Sequence, residues 1–111
     1  MRDAKSAVEA KAVFFLYQEV IAEDAIELDY NISSELFDVL LELIEEATPA
    51  HYAGSRPPQK SYKEDIEGLE LFAFTIESQR FECRVYFKFA LKKNALWLVS
   101  LHKDRPKEEQ P

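Results

Sequence analysis

A single cysteine, Cys83, excludes an intrachain disulfide, and its place on the apolar side of a predicted strand reads as a small buried hydrophobe. His51 and His102, without clustered cysteines or carboxylates, are too few for a zinc site, so neither a metal nor another cofactor is expected. Ser55 and Ser100 have no elbow motif behind them, which argues against a Ser-His-Asp triad. The longest uninterrupted apolar run, Ala12 to Tyr17, falls far short of the roughly 20 residues of a membrane span. Asp3 and Glu9 stand where a secretory signal would carry basic and then apolar residues. We therefore expect neither export nor membrane insertion, and a cytoplasmic location. Glycine is also scarce, with two in 111 residues, whereas eight Phe, five Tyr and 47% apolar residues argue for a packed core. A single domain of this length buries about two thirds of the surface its unfolded chain exposes.

Positive charge is short overall but unevenly spread. The net charge is -7, yet residues 1–50 hold three basic and twelve acidic side chains, and residues 80–105 hold seven basic and two acidic. Phosphate contacts need Lys and Arg, so only the C-terminal part suits a nucleic acid.

Four parts are expected: a helical part at 1–50, a loop at 51–68, a β-sheet part at 69–104 and an exposed tail at 105–111. Asp3 to about Asp24 reads as a helix, although Val13 to Tyr17 is β-prone. Glu27 to Ile32 is a connector, with Asn31, Ser33 and Ser34 offering caps. Glu35 to Ala47 is the clearest helix, with Leu36, Val39, Leu40, Leu43 and Ile44 in one stripe, stopped by Pro49. Both glycines and most prolines fall in the stretch from Thr48 to Gly68; a loop of such length is usually functional or mobile. From Leu69 the period switches to two, giving strands at LELFAFTIE, RFECRVYFKFAL and ALWLVSLHK.

A three-residue turn, Lys92 to Asn94, would pair Leu91 with Ala95, setting Phe89, Phe87 and Val85 against Trp97, Val99 and Leu101 on one face. The other face would set Lys88 against Leu98, Tyr86 against Ser100 and Arg84 against His102, with Arg80 further along. A two-residue turn would mix the faces, which favours the three-residue register. The expected class is α+β, with N-terminal helices on one face of a twisted antiparallel sheet. Cleavage of RNA through a 2'-hydroxyl needs a base, cations for the phosphorane charge and an acid for the leaving oxygen. His102 suits base or acid, Tyr86 either role weakly, and Arg84 and Lys88 the phosphate. The bland alternative is a solvated face with mixed polar residues. His51 and Tyr52, with Arg56 and Lys60, could close over a substrate; a surface loop with Tyr52 packed under it is the favoured reading, and Trp97 reads as core.

The order of helix, LIEEATPAHYAGSRPP, LFAF, RVYFKFAL and LWLVSLHKDRP resembles the RelE/ParE-like toxin superfamily, most closely its MqsR-like toxins, over about residues 20–106. The motifs behind this are VYFK (Val85 to Lys88) and SLHK (Ser100 to Lys103). The resemblance implies a RelE-like fold and a metal-independent endoribonuclease cleaving mRNA. It matches Tyr86 to the catalytic strand tyrosine and His102 or Lys103 to the terminal basic residue. Tyr52 matches as well, while Ala53 stands in place of a lysine, for which Arg56 or Lys60 would substitute. The expected partners are RNA and a cognate antitoxin or other protein, with a homodimer also considered and no membrane. Two other readings stand beside this one: an acidic interaction module of the immunity or antitoxin type, and an inactive relative that binds RNA.

Overall fold

The computed structural model describes residues 2–104. In order they form α1 (Arg2–Glu9), β1 (Val13–Phe15), α2 (Gln18–Leu28), α3 (Ile32–Glu46), single 3-10 turns at Pro49–His51 and Glu64–Ile66, then β2 (Phe72–Ser78), β3 (Cys83–Lys92) and β4 (Ala95–Lys103). The strands make one sheet in the order β1-β4-β3-β2, and the class is α+β as expected. The sheet is mixed rather than antiparallel, because β1 pairs parallel with β4. The expected tail at 105–111 lies outside the described residues.

The long N-terminal helix of the sequence reading is two helices with a strand between them. Lys11 adopts φ 59°, its N–H donates to Val8 O (2.9 Å), and Ala12 N–H donates to Ala7 O (2.8 Å). This left-handed cap closes α1 and turns the chain. Val13–Phe15 then finds strand partners in Leu96, Trp97 and Leu98, so β propensity combined with pairing overrides the helical pattern. Asp29 (φ 62°) ends α2 in the same way, with Tyr30 N–H reaching Ala25 O at 3.1 Å. The start of α3 precedes the expected Glu35 because Asn31 caps it. The Asn31 side chain accepts from Ser34 N–H (3.2 Å), and the Glu35 carboxylate accepts from Asn31 N–H (2.6 Å).

The stripe of α3 (Leu36, Val39, Leu40, Leu43 and Ile44) is buried against Ile76, Val85, Phe87, Phe89, Leu96, Leu98 and Leu101 of the sheet's inner face. Each such side chain contributes about 1.5–3 kcal/mol relative to exposure.

The β3–β4 register corrects the sequence reading. The turn has two residues, Lys93 and Asn94, with φ 47° and 65°, the positive pair that two-residue hairpins favour. Lys92 pairs with Ala95, Ala90 with Trp97 and Phe89 with Leu98; the register then slips, and Lys88 pairs with Ser100, Phe87 with Leu101 and Tyr86 with His102. Val99 is the extra residue of a β-bulge. A two-residue turn would mix the faces only if the ladder were regular. The bulge re-phases β4 so that Leu96, Leu98 and Leu101 are all fully buried, while Trp97 faces outward with Ala90 rather than joining the inner core.

The 48–68 stretch is not structureless. Tyr52 bridges to Phe74, Ala53 N–H donates to Ala73 O (2.8 Å), and Lys60 bridges to Glu70. Ile66, fully buried, covers Ala90 and Val99 from outside, with Leu16, Leu69, Leu71 and Trp97 packed around them. The sheet therefore has a largely covered inner face and a half-covered outer one.

Candidate functional site on the outer face of the sheet

Alternation sends Arg84, Tyr86 and Lys88 of β3 outward, and the bulge does the same for Ser100 and His102 of β4. Tyr86 lies directly opposite His102, their rings stacked with centroids 5.2 Å apart and planes at 24°. Lys88 lies opposite Ser100. The register differs from the expected one, yet it brings the two proton-transfer candidates closer, as direct partners rather than diagonal neighbours.

His102 Nδ1 lies 2.7 Å from the carbonyl oxygen of Lys103. A carbonyl can only accept, so Nδ1 carries the proton and Nε2 of the neutral ring holds the lone pair. Burial, reinforced by Asp104 and Tyr52, raises the pKa of Tyr86 above its ordinary value of 10.0, so the phenol keeps its proton at neutral pH.

Arg84 also faces outward but has company. Its Nη2 lies 3.3 Å from Glu77 of β2, which the β2–β3 register sets directly opposite, and the side chains are 59% and 72% exposed. Glu77 thus puts an acid on this face, whereas Glu82 sits in the β2–β3 turn at φ 53°.

Six expected site residues lie elsewhere. Arg80, in the β2–β3 turn, reaches α3, with Nε and Nη2 at 3.0 and 2.7 Å from the two Glu42 oxygens and Nη1 at 3.7 Å from Glu35. The acidic stripe of α3 attracts it more strongly than the outer face does. Lys103 pairs with buried Val85, so its parity places it with Arg80, beside Glu27 and Asp29. Tyr52 packs edge-on against Phe74 of the inner face (5.6 Å), and Arg56 lies over the Tyr52 ring at 4.8 Å. Both line a separate recess of about 630 Å³ with Ala47, Pro57, Pro58 and Phe72. Lys60 is held at its bridge to Glu70. His51 Nδ1 accepts from Thr48 N–H (3.0 Å), a local cap.

Two features were missed. A recess of about 270 Å³ opens beside Tyr86 and Lys88, walled by Ala53, Gly54, Ser55, Gln59, Leu71 and Ala73. Phe14 and Trp97 stack on each other at 5.1 Å, with Phe14 half exposed. Neither had a sequence signal, because both depend on long-range pairing, by 52–60 with β2 and by β1 with β4. Among the described residues no group of three or more His, Cys, Asp or Glu could hold a metal ion, and no helix is long and apolar enough to cross a membrane. No protein-family model matches the chain, and no curated protein matches it.

Proposed function

We propose that the chain is a RelE/MqsR-like toxin, a metal-independent endoribonuclease that cleaves mRNA by attack of a 2'-hydroxyl on the adjoining phosphodiester. The observation that carries this reading is the stacked Tyr86–His102 pair on an uncovered sheet face, with Lys88 and Ser100 next along the ladder. His102 Nε2 takes the 2'-hydroxyl proton, the 2'-oxygen bonds to phosphorus, and Lys88 balances the charge that gathers on the phosphorane oxygens. The bond to the 5'-oxygen breaks as the Tyr86 phenol gives that oxygen its proton, leaving a 2',3'-cyclic phosphate and a 5'-hydroxyl. The phenolate recovers a proton from the imidazolium, which resets both groups. Ser100 is placed to hydrogen-bond a non-bridging oxygen, and Arg84 adds charge when it leaves Glu77.

Its substrate is then RNA, its partner a cognate antitoxin, and its place of action the cytoplasm. The test is growth. Induced expression of the chain in a bacterial host should arrest it, and His102→Ala or Tyr86→Phe should restore it at equal protein level; a chain harmless in every form would contradict the proposal in favour of an interaction module.

A further inference from the structure

We infer that the recess beside Tyr86 and Lys88 is a base-reading subsite that takes one nucleobase, preferentially adenine, next to the cleaved phosphate; this inference rests on the ribonuclease reading. The first argument is size. Its volume of about 270 Å³ lies just below the ~300 Å³ where drug-sized pockets begin, which suits one ring system and not a dinucleotide.

Position is the second argument. Tyr86 separates the recess, on its β2 side, from His102, on its β4 side, and neighbouring strands are ~4.8 Å apart. A base in the recess thus keeps its own sugar and phosphate over Tyr86 and Lys88, within reach of the imidazole.

The third is rigidity. The segment forming the outer wall is tied at both ends: Ala53 N–H to Ala73 O at 2.8 Å, and Leu71 N–H to Gln59 O at 2.7 Å. Between these ties the Tyr52 hydroxyl donates to Ser55 O, and its ring lies so close to Gly54 that a Cβ there would come within 2.7 Å of the hydroxyl. These ties hold the wall away from the recess, and a side chain at residue 54 would have to displace the Tyr52 ring.

Chemistry is the fourth. The recess is walled by polar groups from Ser55, Gln59, Tyr86 and Lys88. Gln59 is exposed and its backbone, not its side chain, makes the tie to Leu71, which leaves the amide available to a ligand. One amide donor beside one acceptor matches the N6 and N7 pair of adenine, and a carboxylate at the same place would accept from the N4 amine of cytosine.

The experiment measures binding by His102→Ala protein, in which cleavage is expected to be too slow to consume the RNA, to labelled pentauridylates carrying adenosine or cytidine at the centre, by fluorescence anisotropy. Adenosine should be preferred about tenfold, the preference should fall to about one when Gln59→Ala is added, and Gln59→Glu should reverse it toward cytidine. Equal binding of the two oligonucleotides, no binding of either, or a preference indifferent to Gln59 overturns the inference. Cleavage by the unmutated chain keeps the two claims apart: Gln59-dependent binding without cutting breaks only the nuclease reading, and cutting with Gln59-independent base preference breaks only the subsite.

Discussion

The outer face of the β3–β4 hairpin divides at Val99. On the turn side, Ala90, Val99 and Trp97 lie beneath Ile66, Leu69 and Leu71; on the other side, Tyr86, Lys88, Ser100 and His102 have no such cover. Both halves share the same strands and the same packed inner face. What separates them is whether Ile66 and Leu69 reach across, and the outward residues follow suit: apolar where they do, polar where they do not. The bulge sits at the border and lets one strand serve both halves without turning Leu101 into water.

This comparison can be broken at several points. The largest effect belongs to the inner face: Phe87→Ala should cost about 3–5 kcal/mol in urea denaturation, whereas Ile66→Ala, under a thin cover, should cost about 2. Equal losses would mean that the outer cluster is no mere satellite. Deletion of Val99 should be tolerated, at about 2 kcal/mol for its lost packing, because Lys88–Ser100 and Phe89–Leu98 then become consecutive pairs of a regular ladder. An unfolded deletion protein would mean that Val99 is an ordinary paired residue and the site register is wrong.

Two smaller effects concern ionisation. Burial and the charge of Asp24 push the Tyr30 pKa up to about 12 from 10.0. The folded state thus holds its proton longer than the unfolded one, and stability present below pH 10 should fall by up to ~1.4 kcal/mol per pH unit as pH rises through that window. Tyr30→Phe should make the decline shallower in urea titrations between pH 9 and 11.5; an unchanged slope would place the phenol in water. The smallest effect is the Arg80–Glu42 clamp, whose side chains are 28% and 44% exposed, so that Glu42→Gln should cost only about 0.5–1 kcal/mol at pH 7. The hydrogen bond from Arg80 lowers the Glu42 pKa below 4.5. The clamp is therefore complete above that pH and lost as pH falls through the lowered value, and the variant and the parent should converge in stability once pH lies below it.

The helix stripe of α3, the three C-terminal strands and the α+β class were legible because each has a local period. The break at Lys11 was not, since nothing local distinguishes a β-prone piece of helix from a three-residue edge strand; the partner Leu96–Leu98 decides it. Tyr86, Lys88, Ser100 and His102 were readable as outward residues through their alternation with Val85, Phe87 and Leu101. Their pairing was misread because a bulge shows no period, and it was the bulge rather than a longer turn that reconciled the two faces. Arg80 was assigned to the wrong side for a related reason: charge alone does not reveal parity, and Arg80 sits in a turn that has none.

The account's central claim, that Tyr86 and His102 act together on RNA, is tested most directly by incubating purified protein with 5'-labelled single-stranded RNA in excess chelator and analysing the ends. The account predicts fragments ending in 2',3'-cyclic phosphate, slowed 10²–10⁴-fold by His102→Ala and clearly by Tyr86→Phe. RNA left intact by the unmutated chain, or cut equally well by the His102→Ala protein, would contradict it.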